Sequence, residues 1–208
     1  MKSDKPALIL LCIFIPLFIL SAIKPHDYFT WFMEVFPAII ALAILIPTHK
    51  KFPLTNLVYV CIFLQALILI RGGHYTYAEE PVFSWLRDTF TMKRNYFDRL
   101  GHFAQGFVPA LITREILIRK SPLKKGGWLF FLTFCVCVTI SALYELLEWQ
   151  TAVWTGTAAD AFLGTQGDVW DTQWDITFCI FGALTALLSM SRFHDRQIAE
   201  LTGGQDRA

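Results

Sequence analysis

The segment WLFFLTFCVCVTISALYELLEW, residues 128–149, decides the fold class. It contains no charged residue before Glu145 and no Lys or Arg at all. A helix that spans a membrane needs about 20 apolar residues, because the hydrocarbon core is about 30 Å thick and each residue adds 1.5 Å. The segment therefore predicts a transmembrane helix.

The composition of the whole chain agrees with this interpretation. Of its 208 residues, 55% are hydrophobic and 17% are charged, which is more apolar and less charged than a typical soluble domain. The formal net charge is +1, so the chain lacks the basic surface that neutralises phosphates in a nucleic-acid complex. The composition predicts contact with membrane lipids and excludes nucleic acid as a partner.

Five further apolar segments give a polytopic, all-α bundle of six transmembrane helices. The sixth apolar run is short, so its helix is expected to start upstream, in the segment that begins at Gly167. The first run follows Lys2 and Lys5 as a signal peptide would, but its length favours an uncleaved span. The spans lie near residues 7–23, 31–47, 54–70, 100–118, 128–149 and 174–191, in a single domain of residues 1–195 that precedes a polar cytoplasmic tail of residues 196–208.

Lys and Arg residues predict the orientation of this bundle, because short cytoplasmic loops carry an excess of them. With six spans and the N-terminus inside, 11 Lys and Arg residues fall on the cytoplasmic side and six on the outer side. The loop of residues 150–173 has none, which suits an exported segment. Both termini are therefore expected in the cytoplasm.

Acidic and histidine side chains gather at the periplasmic ends of three predicted spans. Asp98 and His102 are four residues apart and so share one helical face. Glu145 and Glu148 are three apart and also share a face. Ahead of the sixth span, carboxylates at intervals of three and four form one stripe if that segment is helical: Asp168, Asp171 and Asp175.

Carboxylates at membrane depth are costly unless a positive group compensates them. A divalent metal ion is one such group, since Asp and Glu oxygens with a His nitrogen suit several divalent metals in helix bundles. The alternative is an ion-pair network with Arg94 or Arg99. The sequence predicts a metal site in which Glu145 or Glu148 is also a candidate general base, with the ligands Asp98, His102, Glu145, Glu148, Asp168, Asp171 and Asp175.

Other ionisable residues are weaker candidates. His74 follows the third span at the same face and ranks second. Glu79 and Glu80 are expected to be solvated, and His49 and His194 fall on the opposite side of the membrane.

Three motifs resemble those of the YjdF family of bacterial inner-membrane proteins. They are Asp-Arg-Leu-Gly-His-Phe at 98–103, Tyr-Glu-Leu-Leu-Glu-Trp at 144–149 and Gly-Asp-Val-Trp-Asp-Thr at 167–172, and the resemblance extends over nearly the whole chain. It implies a multi-pass location in the cytoplasmic membrane and no particular reaction.

A weaker similarity links the chain to VanZ-like membrane proteins. Asp98, His102 and Phe103 match their first motif, with Arg99 in a lysine position, and Tyr144 and Glu148 match the second. In the third motif Asp168 or Asp171 precedes Gly182, but Asp175 stands where an Asn is usual. This similarity implies a role in the cell envelope by analogy alone.

Three functions are consistent with these residues. In an enzyme, the cation would activate water or polarise a phosphoryl or carbonyl group of an envelope lipid or precursor. In a transporter or channel for a cation, proton or small solute, a polar path should continue inward, where the spans offer mainly Arg114 and Glu115. In a non-enzymatic membrane partner, the acids would form a structural ion-pair network. We favour the enzyme.

Overall fold

A computed structural model describes residues 5–156 and 160–203, and these residues contain helices, turns and loops but no β-strand. The α-helices are α1 (Lys5–Ser21), α2 (Tyr28–Thr48), α3 (Asn56–Tyr75), α4 (Pro81–Thr89), α5 (Phe97–Lys120), α6 (Gly127–Thr155), α7 (Asp160–Leu163), α8 (Asp171–Thr185) and α9 (Ser191–Leu201). A 3₁₀ turn, Tyr77–Glu79, follows α3, and a π-helical turn, Ala186–Met190, joins α8 to α9.

Each of the six predicted spans overlaps one of these helices, so the prediction of an all-α polytopic bundle is confirmed. Within the described residues, four helices are long and apolar enough to cross a membrane: α2, α3, α6 and the continuous helix Asp171–Leu201. The helix α1 is apolar but has only 17 residues. The 24-residue α5 carries charges at both ends and small polar residues between them, because it lies inside the bundle.

Side-chain caps fix where several helices begin. Asp27 precedes α2 and accepts a hydrogen bond from the Thr30 backbone N–H at 2.6 Å. This hydrogen bond lowers the pKa of Asp27 and keeps it an acceptor. Glu80 caps α4 in the same way through the Phe83 N–H at 2.8 Å, and Pro81 occupies the first turn, where its missing N–H costs nothing.

The helices form two groups. In one, α1 and α2 both pack on α3, and in the other α5, α6 and α8 pack on each other. The contact between α3 and α5 joins the groups, so α5 is the most enclosed helix. Its buried Leu111 packs in a core with Val58 of α3 and Cys137 of α6.

Two glycines bring the backbones of α5 and α8 into contact. A Cβ atom on Gly106 would lie 1.9 Å from the carbonyl oxygen of Cys179, and one on Gly182 would lie 1.9 Å from that of Phe103. No side chain fits at such distances, so the absence of a Cβ permits this approach. The contact aligns the first turns of α5 and α8, which carry the predicted acids.

The structure places the start of the last long helix within the segment predicted for it and adds detail to the C-terminal tail. The last long helix begins at Asp171, because Gly167 has a φ of +82° and the residues up to Trp170 form turns. The stripe of carboxylates therefore includes Asp171 and Asp175 but not Asp168. The predicted tail begins as a helix that ends at Leu201 and buries Ile198, and residues 204–208 lie outside the described part of the chain.

Candidate functional site

Six of the predicted site residues meet at one end of the bundle, which we call the site end. The starts of α2, α5 and α8 and the ends of α1, α3 and α6 lie there. None of the six is more than 9% exposed, whereas the Asp168 side chain is 29% exposed and lies at the edge. The six residues are Asp98 and His102 of α5, Glu145 and Glu148 of α6, and Asp171 and Asp175 of α8.

The His102 ring lies at the centre of this cluster. Its Nδ1 atom is 2.8 Å from Oε1 of Gln105, one helical turn further along α5. Its Nε2 atom is 3.3 Å from Oδ1 of Asp98 and 3.4 Å from Oδ1 of Asp175. Because an amide oxygen only accepts hydrogen bonds, Nδ1 carries the proton, and in the neutral ring Nε2 presents its lone pair to the two carboxylates.

Arg99 forms the ion-pair network that the sequence left as an alternative. Its guanidinium lies 3.0 Å from Asp98 and 2.5 Å from Asp171, and it also donates to Asp175. Arg94 adds contacts with Asp171 at 2.6 Å and with Asp98 at 3.4 Å. Both arginines are buried. The carboxylates of α5 and α8 therefore have cationic partners.

The glutamates of α6 are in a different position, because no arginine pairs with them in the described part of the chain. Glu145 is 6% exposed, and its Oε1 atom accepts no hydrogen bond. That atom points towards His102, 3.8 Å from Nδ1. Glu148 offers an oxygen within 4.8 Å of ligand atoms of both His102 and Glu145. Unlike the carboxylates of α5 and α8, these two have no arginine partner in the described residues.

Glu34 of α2 is a further buried acid that the sequence interpretation missed. It is 3% exposed and its carboxyl group lies within hydrogen-bonding reach of the Tyr77 hydroxyl. It also lines the same cavity as Asp98, His102 and Glu148. The available signal was a lone acid inside an apolar span, since Glu34 is the one charged residue between Trp31 and Pro47.

Glycines of two helices form the slot that holds Tyr77. A Cβ atom on Gly72 of α3 would lie 1.5 Å from Cε1 of the ring, and one on Gly101 of α5 would lie 3.1 Å from Cε2. Burial raises the pKa of Tyr77, which keeps its hydroxyl protonated. The ring is thus a fixed, neutral hydrogen-bond donor at the edge of the acidic cluster.

Two cavities meet at Glu148. The larger has a volume of about 700 Å³ and extends between the two helix groups, past Glu34 and His102. The smaller has a volume of about 180 Å³ and is lined by Glu145, Thr172 and the loop before α8. Glu148 lines both cavities.

The weaker sequence candidates lie outside the cluster. His74 hydrogen-bonds through Nδ1 to the Ser21 carbonyl at 2.9 Å. Glu79 is exposed, as expected. The expectation for Glu80 is wrong: it is fully buried, where it pairs with Arg71 and caps α4.

A second buried polar cluster lies at the opposite end of the bundle. Glu115 accepts hydrogen bonds from Thr55 Oγ1 at 2.8 Å and Arg119 at 2.6 Å, and lies 2.9 Å from Nε2 of His194. His194 is far from the site, as predicted. The cluster ties α9 to α3 and α5.

Comparison with known proteins identifies the family. The chain matches the family described as predicted membrane protein DUF2238 over residues 6–196. The chain belongs to this family. It is also 49% identical over 180 residues to the inner membrane protein YjdF of Escherichia coli (strain K12), and the match covers 86% of each chain. No solved structure matches it significantly.

These matches confirm the resemblance to the YjdF family that the three motifs indicated. The protein is therefore a multi-pass protein of the bacterial inner membrane. All three motifs lie within the DUF2238 match. The first two place side chains around His102, and the third adds Asp171, which pairs with Arg94 and Arg99. The VanZ-like similarity stays a prediction.

Proposed function

We propose that this protein is a membrane-embedded enzyme that holds a divalent metal ion at its site end and acts on the head group of an envelope lipid or lipid precursor. The metal ligands are Asp98, His102 and Asp175, and Glu145 and Glu148 complete the site. The arrangement around His102 carries the proposal.

Distances around His102 support the choice of ligands. In tetrahedral coordination with bonds of about 2.1 Å, two ligand atoms lie about 3.4 Å apart. The Nε2 atom of His102 is 3.3 Å and 3.4 Å from carboxylate oxygens of Asp98 and Asp175. The bond from Nδ1 to Gln105 fixes the tautomer, as the outer partner of a metal-bound histidine does.

Glu148 is the residue we assign as general base. It lines both the large cavity between the helix groups and the small polar cavity at the site end, where water and a lipid head group meet. A bound divalent cation lowers the pKa of water and polarises a phosphoryl or carbonyl oxygen. As the water oxygen bonds to that phosphorus or carbon atom and the bond from this atom to the leaving oxygen breaks, Glu148 would accept the proton of the water and return it to the leaving oxygen.

The test is the metal content of the protein, purified through an affinity tag that contains no histidine. Elemental mass spectrometry is expected to find about one divalent ion per chain in the wild type and none in His102→Ala, since a three-ligand site loses its nitrogen donor. His26→Ala is the control, because His26 lies at the same end with a half-exposed side chain paired with Glu79. Metal-free wild type, or full retention by His102→Ala, overturns the proposal.

Gln105→Leu tests the orientation of the histidine. The substitution removes the acceptor of the Nδ1 proton and keeps the metal ligands. Metal affinity, measured by competition with a chelator, is expected to fall by about 10–100-fold, and Gln105→Glu should restore it because it supplies an acceptor. Equal affinity in all three proteins would count against the assigned tautomer.

The cluster around Glu115 is an inner polar group of the kind that the transporter alternative requires. However, His102 and Glu115 lie 13 residues apart on α5, or about 20 Å. Between them the backbones of α5 and α8 are in contact at Gly106 and Gly182. This packing closes a polar path along α8, and the large cavity between the helix groups is lined mainly by apolar side chains, which favours a site at one end.

A further inference from the structure

The large cavity extends over most of the membrane thickness. Along α2 its lining runs from Glu34 near the site end to His49 at the opposite end. These residues are 15 positions apart, which corresponds to about 22 Å of helix. The hydrocarbon core of a bilayer is about 30 Å thick, and the chains of one lipid occupy about half of this thickness. The cavity is therefore long enough to hold a lipid chain.

The walls of the cavity are apolar over nearly this whole length. Aliphatic and aromatic side chains of α1, α2 and α3 face those of α5 and α6 across it, and none of the described Lys or Arg residues lines it. Leu8 and Ile44 also line it and are more than half exposed on the outside of the bundle. The cavity therefore reaches the surface that lies against the lipid.

The polar end of the cavity is acidic. Glu34, Asp98 and Glu148 line it there, together with Tyr77, Tyr144 and His102. Asp98 pairs with Arg99 and Arg94. Glu34 and Glu148 pair with no arginine or lysine in the described residues, and both are at most 9% exposed. Buried carboxylates at membrane depth need a positive partner, and no Arg or Lys of the described residues supplies one to these two.

We propose that the cavity binds a membrane lipid whose head group ends in an ammonium group, with its hydrocarbon chain between the helix groups and the ammonium between Glu34 and Glu148. The ligand supplies the positive charge that the two glutamates lack. An anionic head group would meet three carboxylates there and no Arg or Lys among the described lining residues. This lipid would be the substrate of the metal site, so the assignment of a reaction to it rests on the proposed function. The binding of the lipid can be measured independently of the metal.

The experiment is native mass spectrometry of the full chain in detergent with added phospholipids of identical acyl chains. Phosphatidylethanolamine carries the ammonium group, and phosphatidylglycerol carries the same phosphate with a neutral glycerol. The wild type is expected to retain phosphatidylethanolamine about tenfold more strongly, and Glu34→Gln to lose this preference, because one carboxylate of the ammonium site becomes neutral. Equal retention of the two lipids by the wild type overturns the proposal.

Two variants test whether the hydrocarbon chain lies in the cavity. Ala41→Phe on α2 and Ala66→Phe on α3 each place a ring in its lumen, so both are expected to lose the bound lipid. Leu143→Phe is the matched control, since Leu143 is 60% exposed on α6 and does not line the cavity. Thermal unfolding curves identify any variant that fails to fold. Folded Ala41→Phe and Ala66→Phe that both retain lipid as the wild type does would place the lipid elsewhere.

The metal content of the same samples separates the two proposals. Glu34→Gln and Ala66→Phe are expected to keep the metal and lose lipid selectivity or lipid, whereas His102→Ala should lose the metal and keep the lipid. If the lipid results fail while the metal is present, the ammonium-lipid proposal is wrong and the metal site stands. If the metal is absent while the lipid is selected, the metal site is wrong and the cavity assignment stands.

Discussion

Arg99→Met is expected to lower the free energy of unfolding by about 3–5 kcal/mol, because it leaves buried carboxylates without their cation. Arg99 is 3% exposed and contacts carboxylates from two helices, Asp98 of α5 and Asp171 and Asp175 of α8. Arg94 reaches two of these but is not paired with Asp175. Thermal and denaturant unfolding of the purified protein in detergent measures the change.

Two variants make this result specific. Arg99→Lys keeps the charge but loses the planar guanidinium that donates to three acceptors. Its free energy of unfolding should therefore lie between those of Arg99→Met and the wild type. Adding Asp175→Asn to Arg99→Met removes the charge that Arg94 does not reach and should restore part of the stability. Arg87→Met is the control, since Arg87 pairs with Asp88 on the surface, where an ion pair contributes little. Wild-type stability in Arg99→Met would mean that these acids are neutral without the arginine.

The helical positions of the site could be predicted from spacing. Asp98 with His102, and Glu145 with Glu148, recur at intervals that place side chains on one face of a helix. The alternation of short loops then placed both pairs at one end of the bundle. Both steps rest on local periodicity and hydropathy, which a single sequence carries.

What the sequence could not show depends on contacts between distant residues. Glu34 is alone on its helix, so no spacing marked it, and Glu80 is buried because a turn returns it to Arg71. The acids of α5 and α8 pair with Arg99, whereas those of α6 have no arginine partner in the described residues. This difference depends on how α5 and α8 pack. The turn at Gly167 moved Asp168 to the edge of the site, because a positive φ interrupts the helix.

Gly182→Ala is the second substitution from which we expect a large effect. It should lower the free energy of unfolding, whereas replacing glycine by alanine inside a helix usually raises it. In a helix interior, alanine is normally more stable than glycine by about 0.5–1 kcal/mol. At Gly182 the added Cβ would lie 1.9 Å from the carbonyl oxygen of Phe103, so α5 and α8 must separate. Overpacking of this kind costs about 1–3 kcal/mol, and here the partner is backbone, which cannot rotate away.

The separation of α5 and α8 should also disturb the site, because the same two helices carry the carboxylates that flank His102. We therefore expect Gly182→Ala to lose metal as well as stability, measured by elemental analysis and thermal unfolding of one preparation. Gly127→Ala is the control, since no atom of the described chain lies within 4 Å of a Cβ placed there. Gly106→Ala should resemble Gly182→Ala, and the double variant should be less destabilised than the sum, because both substitutions act on one contact. A Gly182→Ala protein that unfolds at or above the wild-type temperature would show that α5 and α8 are not in backbone contact.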